Sequence, residues 1–276
     1  MQRVLVISSF VAHGAVGLQA TLPPLLRPRR DVIALPTVVL SNHPGHPQFA
    51  GDAIAPELLK AMIAALDANG WLRDIDAVLS GYLPTPQHVE IAANMVEHLR
   101  QTKPDITYLC DPVLGDEPKG LYIREDAAAA LCKRLIPLAD IVTPNTFELA
   151  YLTGVAVSSV SSAAEACRKL GAPRTAVTSL RETQNEFINI FVTPSATWAA
   201  SVVARPNAPH GTGDLFAGLL LAALLDGATD DTALAHAVGG VDMAIARSFQ
   251  SPDLDLAGLR WTADAVTPAD TTSLPA

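Results

Sequence analysis

Along the chain, short apolar runs of β character recur at residues 4–7, 32–40, 77–79, 106–109, 140–142 and 175–177. Between most of them lie stretches whose apolar residues fall three and four apart, at 56–68, 86–100, 124–135 and 161–170. That spacing is the mark of a helix with one buried face. Alternation of the two patterns predicts an α/β fold with a central, mostly parallel sheet flanked by helices on both faces.

The second half changes character. Residues 186–192 and 198–204 read as strands separated by Pro194 and Ser195, so an antiparallel edge is expected there. A loop over 205–210 leads into two helices, 211–225 and 231–248. Residues 262–276 are rich in Thr, Ala, Asp and Pro without periodicity, and are expected to form a loose tail behind a single domain at 1–261.

With 49% hydrophobic and 17% charged residues, the chain can bury a large core and is not a disordered polymer. A net charge of -9 argues against a protein that coats nucleic acid. The amino terminus lacks the basic start and long apolar stretch of a signal peptide, and the most apolar helix, around 219–225, is too short for a bilayer. Cys110, Cys132 and Cys167 are odd in number and widely spaced, which reads as buried thiols in a reducing compartment. A cytoplasmic protein without a membrane partner is expected.

Ligands of open parallel sheets bind beyond the carboxyl ends of the strands. Those positions are unusually polar here: Ser8, Ser9, residues 41–43 and 80–82, Asp111, residues 143–145, Thr178 and Ser179. Turn chemistry accounts for part of this pattern. The most informative stretch is His210-Gly211-Thr212-Gly213-Asp214, which opens a strongly apolar helix. Amides of Gly211, Thr212 and Gly213 at a helix start would cradle a phosphate or a developing negative charge, and Asp214 beside them would accept the proton of an attacking hydroxyl. The same residues also suit a plain loop end with an acid in the first helical turn.

This stretch resembles the GTGD segment of the ribokinase superfamily. Ser80-Gly81-Tyr82-Leu83, Asp111-Pro112-Val113-Leu114-Gly115-Asp116, Thr143-Pro144-Asn145-Thr146-Phe147-Glu148 and Thr178-Ser179 are similar to pyridoxal kinases, in the family's order and spacing, from about Val4 to Ser248. The resemblance implies a ribokinase-like fold and ATP-dependent phosphorylation of the 5'-hydroxymethyl group of pyridoxal, pyridoxine or pyridoxamine. It implies Asp214 as general base, Gly211, Thr212 and Gly213 as anion hole, and Asp111, Asn145, Glu148, Thr178 and Ser179 around the nucleotide phosphates. Asp111, Asp116 and Glu148 would serve the Mg²⁺ that accompanies ATP, and a monovalent cation such as K⁺ is compatible with the family. Ser9, His46, Tyr82 and Asp214 would face the vitamer. A homodimer is also implied.

Other readings stay open. Asn145 and Glu148 have capping-box spacing, Asp111 begins a common turn, and Tyr82 suits plain packing. The loop from Ser41 to Pro47 resembles the one pyridoxal kinases place over the vitamer, with His46 where many members carry tyrosine. His13 to Ala20 resembles hydroxymethylpyrimidine kinases instead. Neither a GxxxxGK[ST] loop, an HExxH pair nor paired CxxC segments occur, and His88, His98 and His236 read as helix-face residues. Three functions remain: a vitamin B6 kinase, a kinase for hydroxymethylpyrimidine or another small alcohol, and a non-catalytic vitamer-binding protein.

Overall fold

The computed structural model describes residues 1–26, 30–205, 207–248, 251–262, 267–269 and 271–274. Its first half runs β1 (Gln2–Val11), α1 (Leu18–Leu25), β2 (Arg30–Leu40), β3 (Gly51–Ala53), α2 (Pro56–Ala68), β4 (Ala77–Ser80), α3 (Pro86–Thr102) and β5 (Thr107–Cys110). A small hairpin, β6 (Gly115–Asp116) and β7 (Gly120–Leu121), precedes α4 (Glu125–Arg134), β8 (Ile141–Val142), α5 (Thr146–Thr153) and α6 (Val160–Leu170). Then come β9 (Arg174–Leu180), β10 (Glu186–Val192), β11 (Thr197–Val203), α7 (Thr212–Leu225), α8 (Asp230–Arg247) and β12 (Thr271–Leu274).

Among the described residues, ten strands form one sheet in the order β12-β11-β10-β9-β8-β5-β4-β1-β2-β3. The six from β9 to β2 are parallel, and the pairs beyond them at both edges are antiparallel. The central strands carry unbroken apolar runs, Val4 to Ile7 in β1, Ala77 to Leu79 in β4 and Tyr108 to Cys110 in β5, because both faces are covered. In β1, Val4 and Val6 join α1, α7 and α8 in one core, while Leu5 and Ile7 join α2, α3 and α4 in the other. A third cluster seats α5 and α6 against β9 and β10.

The expected helices and strands fall within a few residues of the observed ones, and the antiparallel edge forms at β10 and β11. The tail departs from expectation: Thr271–Leu274 pairs with Thr197–Ala200 of β11 as an edge strand. β-branched threonines with a free sheet edge beside them explain why a segment without hydrophobic periodicity becomes extended. Residues 263–266, 270, 275 and 276 of that tail, and residue 206 of the expected loop, lie outside the described residues.

The chain leaves β1 toward β2 on one side and later returns to insert β4 on the other. Strand order therefore reverses at β1 and β4, and a crevice opens at their carboxyl ends. Ser8, Ser9, Ser80, Gly81 and Tyr82 lie at this point.

Candidate active site

Asp214 stands in the first turn of α7, next to the β1/β4 crevice. Gly211, its N-cap, has φ 93°, and a Cβ there would sit 1.9 Å from the carbonyl oxygen of Ala15. Only glycine fits such a backbone at such an approach. Gly17 caps α1 under the same constraint, since a Cβ would meet the Ser9 carbonyl oxygen at 2.3 Å. Its N–H bonds to the Asp214 carboxyl group, and the Thr21 hydroxyl donates to the Asp214 carbonyl oxygen at 3.3 Å. Burial nonetheless dominates, pushing the Asp214 carboxyl up to about 6. Such a group is ionised at neutral pH yet basic enough to take a proton.

Across the crevice, a Cβ on Gly81 would clash with the Ser8 hydroxyl at 2.4 Å and come within 3.9 Å of Asp214 Oδ1. The backbone of β4's exit therefore lies directly beside the acid. Tyr82 donates its N–H to Ser8 Oγ at 3.3 Å, and the Thr37 hydroxyl fixes its carbonyl at 2.7 Å. Its ring is half-buried against the second core, with the phenol raised by burial. Ser9 sits where β1 slips register against β2, an irregularity that re-aims a side chain.

A second group of acids gathers at the ends of β5 and β8. Asp111 is 5% exposed, and its carboxyl is held well above the usual range by burial, then by Glu148 and Asp214, with Thr143 partly opposing. Asp116 in β6 keeps one buried carboxylate oxygen without a hydrogen-bond partner. Glu148 is also buried and raised by burial, but its oxygens accept the N–H groups of Leu114 at 2.7 Å, Gly115 at 3.5 Å and Asn145 at 2.9 Å. The Asn145 side chain completes a capping box on α5 and donates to the Gly115 carbonyl at 2.8 Å. Between Asp111 and Gly115, Val113 adopts φ 44°, a strained conformation for a β-branched residue. This loop is held in place rather than merely solvated.

Thr178 bridges to Asn145 and receives its place from an N–H bond to the Pro144 carbonyl at 3.0 Å. Ser179 is exposed, has φ 63° and bonds through its N–H to Asn189 Oδ1 at 3.2 Å, so it marks a kink in β9 rather than a member of the acid group. The expected metal acids adjoin one another, but among the described residues no three metal-ligating side chains close into a ligand set.

His46 does not stand free in its loop: its Nε2 lies 3.2 Å from Asp253 Oδ1. Sequence reasoning missed the neighbouring feature, a stacked pair of His43 and His210 with ring centroids 4.0 Å apart. No local pattern links two histidines so distant in the chain. The other expected helix-face histidines, His88, His98 and His236, lie in α3 and α8. A cavity of about 450 Å³ lined by Ala139, Lys169 and Pro173 opens at the amino ends of β8 and β9, the opposite end of the sheet from these acids.

The family described as phosphomethylpyrimidine kinase matches residues 35–254. A pyridoxal kinase PdxY of Leifsonia xyli is 32% identical over 260 residues, covering 92% of both chains. One of Rubrobacter xylanophilus is 33% identical over 255 residues, covering 90% of this chain and 88% of its own. The solved structure of Leishmania donovani pyridoxal kinase in complex with ADP and pyridoxine superposes with a TM-score of 0.93 at 30% identity, over 99% of each chain. The chain belongs to the phosphomethylpyrimidine kinase family, has the ribokinase-like fold, and counts pyridoxal kinases among its relatives.

Proposed function

We propose that the protein transfers the γ-phosphoryl group of ATP to the 5'-hydroxymethyl group of pyridoxal, pyridoxine or pyridoxamine. The observation that carries this reading is Asp214: a desolvated carboxyl raised to about 6, beside the β4 exit and in the turn capped by Gly211. Asp214 accepts the proton of the vitamer hydroxyl as its oxygen bonds to the γ-phosphorus. The bond to the β–γ bridging oxygen breaks and its electron pair leaves with ADP. Amides of Gly211, Thr212 and Gly213 stabilise charge on the transferred group. Ser9 and Tyr82 line the vitamer side, and Asn145 and Thr178 the phosphate side. His46, bound to Asp253, orders the acceptor loop, and Ser179 acts through its backbone.

The acids fit a divalent ion. Asp116 has a buried oxygen without a partner, and Asp111 is crowded by other carboxylates that a cation would relieve. Asp111 and Asp116 would hold Mg²⁺ with waters and phosphate oxygens, whereas Glu148, committed to three amides, keeps their loop in register. When bound, the ion neutralises phosphate charge. A K⁺ ion near this loop belongs to the same reading.

The described residues contain no helix long and apolar enough to cross a membrane. We place the kinase in the cytoplasm on its free thiols, and take residues 1–261 as its domain with β12 added at the edge. A homodimer is supported by α2, which buries only Leu59 and leaves Leu58 51% exposed, with Trp71 beyond it 52% exposed.

The deciding experiment compares kcat/KM for pyridoxal, pyridoxine, pyridoxamine and hydroxymethylpyrimidine with ATP and Mg²⁺. Preference for a pyridine is expected. The family description favours one competitor, the pyrimidine, and preference for it would transfer the substrate assignment there. Binding of vitamers without turnover of any would leave a vitamer-binding protein.

A further inference from the structure

The loop carrying the expected acceptor contacts is anchored at both ends of its path. At its base, the N–H of His13 bonds to the Ser41 carbonyl at 2.9 Å, and the Ser41 N–H to the Ala50 carbonyl at 2.7 Å. At its tip, His43 lies on His210 with an interplanar angle of 28°. Gly45 is wedged along the edge of this pair: its N–H donates to His43 Nδ1 at 3.0 Å, and a Cβ on it would sit 2.8 Å from His43 Nδ1 and 3.0 Å from His210 Nε2. His210 in turn forms a parallel bridge to Asp253, the residue that holds His46. His210 also immediately precedes Gly211. One ring contact thus joins the loop to the turn that carries the amides and Asp214.

We propose that His210 is a positioning residue whose ring, stacked on His43, latches the acceptor loop to the lead-in of the anion hole. This rests on the kinase reading for its role in turnover, but the latch itself rests on geometry alone. The Gly45 bond requires an unprotonated His43 Nδ1, so the latched form is neutral at that ring. Two imidazolium rings at 4.0 Å would repel, and the surroundings oppose their charging. His43 is pushed down to about 4 by burial, then by His210, Lys119 and His46, with Asp253 opposing. His210 is lowered by burial, Lys119 and His46, against Asp116 and Asp253. Lys119 comes from the β6–β7 turn, so the donor side of the site contributes to the charge around the ring pair. The latch is therefore closed at neutral pH and opens in acid.

The test uses the full chain with His210→Ala, His210→Phe, His43→Ala and the double alanine variant. It reads KM for the acceptor and for ATP, and the hydrogen-exchange protection factors of residues 41–48 between pH 4 and 8. His210→Ala is expected to raise acceptor KM and lower loop protection by about tenfold, with KM for ATP unchanged. His210→Phe restores both and removes part of the loss of protection that the wild type shows in acid. The double variant is no worse than either single one, because both remove the same contact. Unchanged protection in His210→Ala, or a Phe variant as impaired as Ala, would overturn the latch. A wild type that turns over no acceptor, yet loses loop protection in His210→Ala, would sink the kinase reading and leave the latch standing.

Discussion

The two halves of the crevice are built by different means. On the donor side, Glu148 collects amides from Leu114, Gly115 and Asn145, and the Asn145 side chain returns a bond to Gly115, so the acid loop is held by buried and part-buried bonds between side chains and backbone. On the acceptor side, a half-exposed loop is tied by hydrogen bonds at its base, and its tip is joined to the rest of the site by one ring contact and one His46–Asp253 pair. A polyphosphate has the same shape in every turnover and suits fixed donors, whereas an acceptor enclosed from water must enter under something that opens. Asp214 stands where the two constructions meet, and breaking it should do the most damage.

Asp214→Asn is expected to lower kcat by about 10²–10⁴-fold, the usual cost of a lost general base. The wild-type rate should fall as pH drops through about 6, where Asp214 takes up a proton. Stability should move the other way. Its folded pKa lies above the ordinary aspartate value, so its stabilising contribution is full below that value and lost as pH rises through about 6. The Asn variant should therefore be more stable than wild type at pH 8, by up to about 3 kcal/mol, with the gap closing near pH 3. Parallel rate profiles and denaturant titrations check both signs; undiminished turnover would remove Asp214 from the mechanism.

Gly211→Ala is the next largest break. It forces a side chain into φ 93° and against the Ala15 carbonyl, and should cost about 2–4 kcal/mol together with at least tenfold in kcat. Gly213 sharpens the comparison, because a Cβ there meets nothing within 4 Å. Gly213→Ala should change unfolding free energy by less than about 0.5 kcal/mol. Equal destabilisation of the two would mean that close packing of the turn is not what distinguishes them.

On the donor side, Glu148→Gln replaces one acceptor oxygen with an amide donor, so the N–H of Asn145 or those of Leu114 and Gly115 lose their partner. An unsatisfied buried N–H costs about 1–3 kcal/mol. KM for ATP and the Mg²⁺ concentration for half-maximal rate should both rise, by about tenfold, while acceptor KM stays within error. An unaltered metal titration would show that the loop keeps its register without the carboxylate.

How much of this could be read in advance depended on range. Residues 4–7 and 77–79 were legible as strands because burial on both faces makes them uniformly apolar. α1 was harder to delimit, since Pro23 and Pro24 lie inside it, and α5 is eight residues without a clear stripe. β6 and β7 are two residues each, too short for any period. Gly211 and Asp214 declared themselves locally, through glycines and an acid at a helix start. Capping-box spacing suggested Asn145 and Glu148, but nothing local announces that Glu148 also holds Leu114 and Gly115. His43 and His210, or His46 and Asp253, meet only because the β2–β3 loop folds onto the lead-in of α7, where His210 bridges to Asp253.

The smallest effect belongs to that last pair. The His46 and Asp253 side chains are 28% and 18% exposed, and a contact to a carboxylate so close to solvent is worth about 0–1 kcal/mol. Asp253→Asn keeps the shape of the acid and a hydrogen-bonding oxygen, so unfolding free energy should shift by less than about 1 kcal/mol. Acceptor KM should rise no more than about threefold, and the difference from wild type should shrink as salt is added. A larger rise, insensitive to salt, would make Asp253 rather than the stacked rings the principal hold on the acceptor loop. The weak, reversible side of the crevice would then rest on a charge instead of a ring contact.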